Sequence, residues 1–168
     1  TSVIKVFDLT CASVGLSEAM AAAAGLDFDR VKLAPASHAG YYPGAETMTM
    51  KVIFEKSSAR ILGAAIVGKG GVDKRIDVIA TAISAGLSGI DLKDLELAYA
   101  PPFSSVKDPV NVAGFMIENV CSKLVKQFCS EELEALPRDG SVTLLDVRTK
   151  REFSKGGIPG FINIPVDS

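Results

Sequence analysis

The 168-residue chain holds one histidine, three cysteines and three tyrosines, and its net charge is only −2. So weak a charge leaves no electrostatic footprint for nucleic acid or an anionic membrane surface. No apolar run approaches the roughly 18 residues a membrane span requires, and no signal-peptide pattern precedes the first apolar stretch. Cys11, Cys121 and Cys129 form no Cys-x-x-Cys pair and no zinc spacing. Such a scattered, odd set fits a reducing compartment, so a cytoplasmic location is expected. No Gly-x-Gly-x-x-Gly stands at a strand–helix junction. Gly68-Lys69-Gly70-Gly71 has the wrong spacing and no acidic ribose partner after it, and reads as a turn. His38 has no recognisable Ser or Cys nucleophile with an orienting group, so it reads as a hydrogen-bonded loop residue. Asp91, Asp94 and Glu96 lie on a solvated turn and make no metal set.

A hydrophobic fraction of 48% supplies a well-filled core. Residues 2–122 read as an α+β domain with a mainly antiparallel sheet. Ser2–Leu9 alternates as a strand does. Ser17 caps a short helix that Gly25 stops, and Val31–Pro35 is a second short strand. Thr47–Glu55 puts Met48, Met50, Val52 and Phe54 on one face. It pairs with Arg60–Val67, which is apolar on both faces and therefore central. Asp73 caps a helix with Ile76, Ile79, Ala80 and Ile83 inward. Lys69, Lys74 and Arg75 at its start read as solvent-facing charges. Asp108-Pro109 opens a further helix with Val112, Phe115, Met116 and Val120 as its stripe. From Lys123 the pattern becomes strand, acidic helix (Ser130–Leu136), Pro-Arg-Asp-Gly turn and strand, so the boundary is set at 122/123.

Two runs carry resemblances. Ile61-Leu-Gly-Ala-Ala-Ile-Val-Gly-Lys-Gly-Gly-Val-Asp-Lys-Arg-Ile-Asp-Val-Ile-Ala80 resembles the C-terminal dimerisation domain of flavin-dependent pyridine nucleotide–disulfide oxidoreductases. Ser37-His-Ala-Gly-Tyr-Tyr-Pro-Gly44, Tyr99-Ala-Pro-Pro-Phe-Ser-Ser105 and Asp108-Pro-Val-Asn111 are similar to the coenzyme A–disulfide reductase branch. Asp146-Val-Arg…Glu152-Phe…Gly156-Gly-Ile-Pro-Gly-Phe-Ile-Asn-Ile-Pro165 resembles the start of a rhodanese domain, with Gly157 where histidine is usual and Phe161 where alanine is usual. Some members of the branch carry a rhodanese domain directly after the dimerisation domain.

The resemblance implies that the FAD domain, the NAD(P)H domain and the redox-active cysteine lie N-terminal to this chain, which is then a piece of a larger reductase. Alone it is expected neither to bind FAD tightly nor to oxidise NAD(P)H. It implies a homodimer in which this domain covers the partner's flavin, through Pro101, Pro102 and Phe103. It also implies that the domain lends tyrosines to the partner's cysteine–CoA mixed disulfide. Tyr99 stands where glutathione-type reductases place a His–Glu acid/base pair, with Tyr41 or Tyr42 as companion. A phenol with pKa near 10 is chemically suited, since it donates to a leaving thiolate without titrating at neutral pH. The substrate is then a CoA disulfide, a persulfide or a peroxide. Lys69, Lys74 and Arg75 are the cations available to a CoA phosphate. A self-standing, non-catalytic dimer module is the alternative. A rhodanese-type sulfurtransferase fragment is third; none of the cysteines lies in a Cys-x-x-Gly-x-Arg loop, so sulfur transfer by this chain alone is excluded. Residues 125–168 are too few to bury both faces of a parallel sheet unaided.

Overall fold

The alternation that begins at Ser2 breaks at Phe7-Asp8, where Phe7 takes a φ of 54° and the chain doubles back. Two residues of turn separate β1 (Ser2–Val6) from β2 (Leu9–Gly15), with Val6 opposite Leu9. A positive φ suits the twist of so short a hairpin. The single strand expected over Ser2–Leu9 is therefore the first arm of a hairpin and its turn. In the computed structural model, residues 1–128 and 130–166 are described, and the chain divides into two units, Thr1–Gln127 and Phe128–Ser168.

The first unit is built on a five-stranded antiparallel sheet in the order β1-β2-β5-β4-β3. β4 (Thr49–Glu55) and β5 (Ile61–Gly68) pair as the alternation requires, and β5 is the middle strand. Met48, Met50, Val52 and Phe54 are all buried. β3 (Phe28–Leu33) starts three residues before the expected Val31–Pro35 strand, because Phe28, Asp29 and Arg30 pair with Glu55, Phe54 and Ile53. Proline has no N–H for a ladder, and Pro35 instead accepts from the Met48 amide at 2.9 Å. On the way, α1 (Glu18–Ala23) is capped by Ser17, and Glu18 reaches Arg30 and Lys51 of the sheet.

α2 (Val72–Ser84) and α3 (Pro109–Cys121) pack against the sheet and each other. α2 is capped by the backbone of Gly71, not by Asp73, which sits within the first turn where its charge meets the helix dipole. α3 has the expected Asp108 cap, closed into a capping box by Asn111. Its buried stripe is Val110, Ala113, Gly114 and Ile117, one step round the helix from the stripe expected. Small residues win because α3 lies close on the 3₁₀ turn Asp91–Asp94. A Cβ on Gly114 would come within 2.3 Å of the Lys93 nitrogen. Val112, Met116 and Val120 flank the core, while Phe115 lies under the Lys107 ammonium at 4.1 Å.

The second unit is a 3₁₀ turn (Ser130–Ala135) followed by β6 (Leu145–Asp146), α4 (Lys150–Lys155) and β7 (Ile162–Asn163), with β6 and β7 parallel. Asp146 accepts the Arg148 amide and both ends of its guanidinium, and Thr149 and Glu152 form a capping box. The strand expected just after Lys123 is irregular chain. Cys129 lies outside the described residues. Among the described residues no helix is long and apolar enough to cross a membrane.

Candidate functional site

The segment between β3 and β4 is closed at its base by the Ala36–Thr47 bridge and by hydrogen bonds between Ser37 and Glu46. Proline and glycine at 43 and 44 turn its far end, where Gly44 takes a φ of 86°. Tyr41 is consequently 78% exposed. The segment before α3 has its own turn, where the amides of Phe103 and Ser104 bind the Ala100 carbonyl. The two segments meet directly, with the Ala39 amide on the Ser104 carbonyl at 3.2 Å.

The consequence is a contact between residues 58 apart in sequence: the hydroxyls of Tyr41 and Tyr99 are 3.3 Å apart. Tyr42 turns away and meets the edge of His38, ring centres 5.9 Å apart. His38 is a loop residue, with Ser37 Oγ at its Nδ1 and the Pro43 carbonyl at its Nε2. Tyr99 is held above the usual phenol range, first by its bond to Tyr41 and then by partial burial. Between two phenols one proton forms the bridge and the second is free for a third group. Phe103 is 70% exposed, with Pro101 half-buried and Pro102 exposed beside it.

Beneath the two segments lies a charge that the sequence reading put in solvent. Arg75 is 1% exposed. Its Nε and Nη2 donate to Asp108, its Nη2 also to the Ser37 carbonyl at 2.8 Å, and its Nη1 to the Gly71 carbonyl at 3.0 Å. Asp108 in turn accepts from Ser104 Oγ at 2.7 Å and from the Val110 amide at 3.0 Å. Burial pushes the Asp108 carboxyl up, but Arg75, Val110 and Ser104 together outweigh it and hold the group below the usual carboxylate range. Gly71 is required here twice over: its φ is +71°, and a Cβ would meet Arg75 Nη1 at 2.0 Å. The signal was in the spacing, since position 75 falls on the apolar stripe of Val72, Ile76, Ile79 and Ala82. Lys69 and Lys74 do lie at the surface, but with carboxylates: Lys69 with Glu46 and Asp8, Lys74 with Asp108. With Pro102 and Phe103 they line a cleft of about 400 Å³. No cluster able to hold a metal ion occurs among the described residues.

Residues 1–109 match the model of the pyridine nucleotide-disulphide oxidoreductase dimerisation domain. The chain belongs to that family. Residues 130–168 match the rhodanese-like domain. Coenzyme A disulfide reductase of Staphylococcus epidermidis is 43% identical over 114 residues, covering 68% of this chain and 26% of that protein. The reduced Bacillus anthracis CoADR-RHD structure superposes with a TM-score of 0.94 at 48% identity, over 99% of this chain and 30% of that one. An NAD-dependent persulfide reductase from A. fulgidus gives 0.88 at 41% identity, over 98% and 29%. The chain thus spans about a quarter of the length of the curated relatives it matches. The dimerisation-domain match includes both tyrosine-bearing segments and Arg75.

Proposed function

We propose that this chain is the dimerisation part of an FAD- and NAD(P)H-dependent reductase of CoA-type disulfides or persulfides, working in the cytoplasm as a homodimer. The family membership and the names of its relatives support this reading. The part that precedes the boundary at 122/123 supplies Tyr41 and Tyr99 to the sulfur chemistry of the partner subunit, and Tyr42 anchors its loop against His38. The observation that carries the reading is the 3.3 Å contact of the Tyr41 and Tyr99 hydroxyls on exposed loop tips.

The flavin would supply electron transfer from nicotinamide to the sulfur substrate. Residues that would hold its phosphates are not recognisable in this chain. What the chain offers that group is the exposed Phe103 ring with Pro101 and Pro102, an apolar surface suited to covering a planar ring system. The chain's own contribution is proton management. Cleaving a CoA disulfide with two electrons leaves two CoA thiolates, and each departing thiolate needs a hydrogen bond or a proton. The proton that the tyrosine pair does not use in its own bridge provides it, and the second phenol supports the one that donates.

The reading is tested by rapid-reaction kinetics on the intact flavoenzyme carrying Tyr99→Phe. Turnover with CoA disulfide should fall by about a hundredfold, while reduction of the flavin by NAD(P)H keeps its rate. Equal losses in both half-reactions would overturn it. A chain serving only as a non-catalytic dimer module would show neither loss.

A further inference from the structure

We propose that Arg75 is a positioning residue for the tyrosine pair: one guanidinium binds both tyrosine-bearing segments and so sets the distance between Tyr41 and Tyr99. The inference rests on the reading of that pair as the thiolate's partner, and adds to it a residue that touches no substrate.

The geometry is specific to arginine. Ser37 stands four residues before Tyr41, and Phe103 four residues after Tyr99. Arg75 Nη2 donates to the carbonyls of both, at 2.8 Å to Ser37 and 3.4 Å to Phe103, and to Asp108 Oδ2 at 3.0 Å. Nε faces the same carboxylate at 3.2–3.3 Å, and Nη1 is occupied by Gly71. Asp108 ties the second segment once more through Ser104 Oγ. One planar fork therefore joins the start of α2, the cap of α3 and both loops.

The two loops also share one backbone bond, from the Ala39 amide to the Ser104 carbonyl at 3.2 Å, and Ser104 is itself held by Asp108. The loop tips are exposed, and a hydrogen bond between exposed phenols is too weak to order two loops by itself. The order has to come from below, where both anchors are 1–2% exposed. A lysine keeps the charge opposite Asp108. Its single nitrogen cannot bind the carboxylate and both carbonyls in one plane. Arg75→Lys thus separates charge from geometry.

The test uses the three tyrosines of this chain, labelled at ¹³Cζ, in an NMR titration. In the wild type Tyr99 should titrate above the ordinary phenol value of about 10, because of its bond to Tyr41. In Arg75→Lys its midpoint should return to about 10 as the Tyr41 contact opens. Ile79→Val, a comparable loss of core packing elsewhere on α2, should leave the midpoint where it was. A folded Arg75→Lys protein with an unmoved Tyr99 overturns the proposal. If that variant does not fold, Ser104→Ala, which removes only the Oγ bond to Asp108, should move Tyr99 the same way by less; an unmoved Tyr99 there overturns it equally. Loss of coupling in Arg75→Lys alongside an unimpaired Tyr99→Phe enzyme would leave the positioning role standing and remove the catalytic reading instead.

Discussion

Phe54 and Ile162 both sit in strands of this chain, yet the first is 1% exposed and the second 57%. Phe54 belongs to a core gathered from residues 12 to 117, in which two helices close one face of a five-stranded sheet. Ile162 belongs to two parallel strands of two residues each. Around it Leu145, Val147, Ile164 and Val166 are also exposed, and of the apolar side chains in that unit only Leu144 is buried among the described residues. What organises the second unit is local. Asp146 holds the Arg148 amide and guanidinium, Thr149 and Glu152 cap α4, and Asn163 donates to the carbonyls of Asp146 and Arg148 at 3.0 and 2.8 Å. These hydrogen bonds, spanning at most 17 residues, set a backbone path with few buried contacts. A core demands elements far apart in sequence, and only the first unit supplies them.

The contrast is broken most forcefully at the buried ion pair of the first unit. Asp108→Asn leaves Arg75 buried without a counter-charge, and should cost about 3–5 kcal/mol in urea denaturation at neutral pH. The sign with pH follows from the depressed folded pKa. The stabilisation by Asp108 is complete above its unfolded value, near 4, and is lost as pH falls through the lower folded value. The wild type should therefore weaken toward acid and the gap to Asp108→Asn should narrow below about pH 4. A gap that stays constant from pH 7 to pH 2 contradicts the pairing.

A smaller effect is expected in the second unit. Arg148 is half exposed, and its removal deletes its ion pair with the buried Asp146 and one bond to the Gly156 carbonyl. Arg148→Ala should lower amide-exchange protection over residues 145–163 by roughly fivefold and leave the first unit's amides unchanged. A loss spread over β4 and β5 would show that the two units do not differ as described.

The same division separates what was legible in the sequence from what was not. β4 and β5 read clearly because Met48, Met50, Val52 and Phe54 alternate on a strand buried on that face. Ser17 and Asp108 read clearly because a cap needs only the next few residues. The turn at Phe7-Asp8 carries no glycine or asparagine, so its positive φ left no mark in the residue types. The stripe of α3 was read one step off because bulk was taken as the sign of burial. At Gly114 the near approach of Lys93 excludes bulk, and a closely packed helix buries its small side. Arg75 was misread for the opposite reason: its charge was weighed and its place on the Val72, Ile76, Ile79 stripe was not. The tyrosine loops were found through the resemblance. That Tyr41, and not Tyr42, meets Tyr99 depends on how the turn at Pro43-Gly44 directs two adjacent side chains to opposite sides.

Both tyrosines and their anchor lie in the first unit, as do residues 1–109 that match the dimerisation-domain family. If the proton-donating pair is complete there, the second unit is dispensable for that step. The direct measurement is CoA disulfide turnover by the intact flavoenzyme after removal of everything from Phe128 onward, set beside Tyr99→Phe. The shortened enzyme should keep its rate within about threefold while Tyr99→Phe loses about a hundredfold. A shortened enzyme as impaired as Tyr99→Phe, with its flavin still reduced at the normal rate by NAD(P)H, would contradict the placing of the sulfur-side chemistry in the first unit.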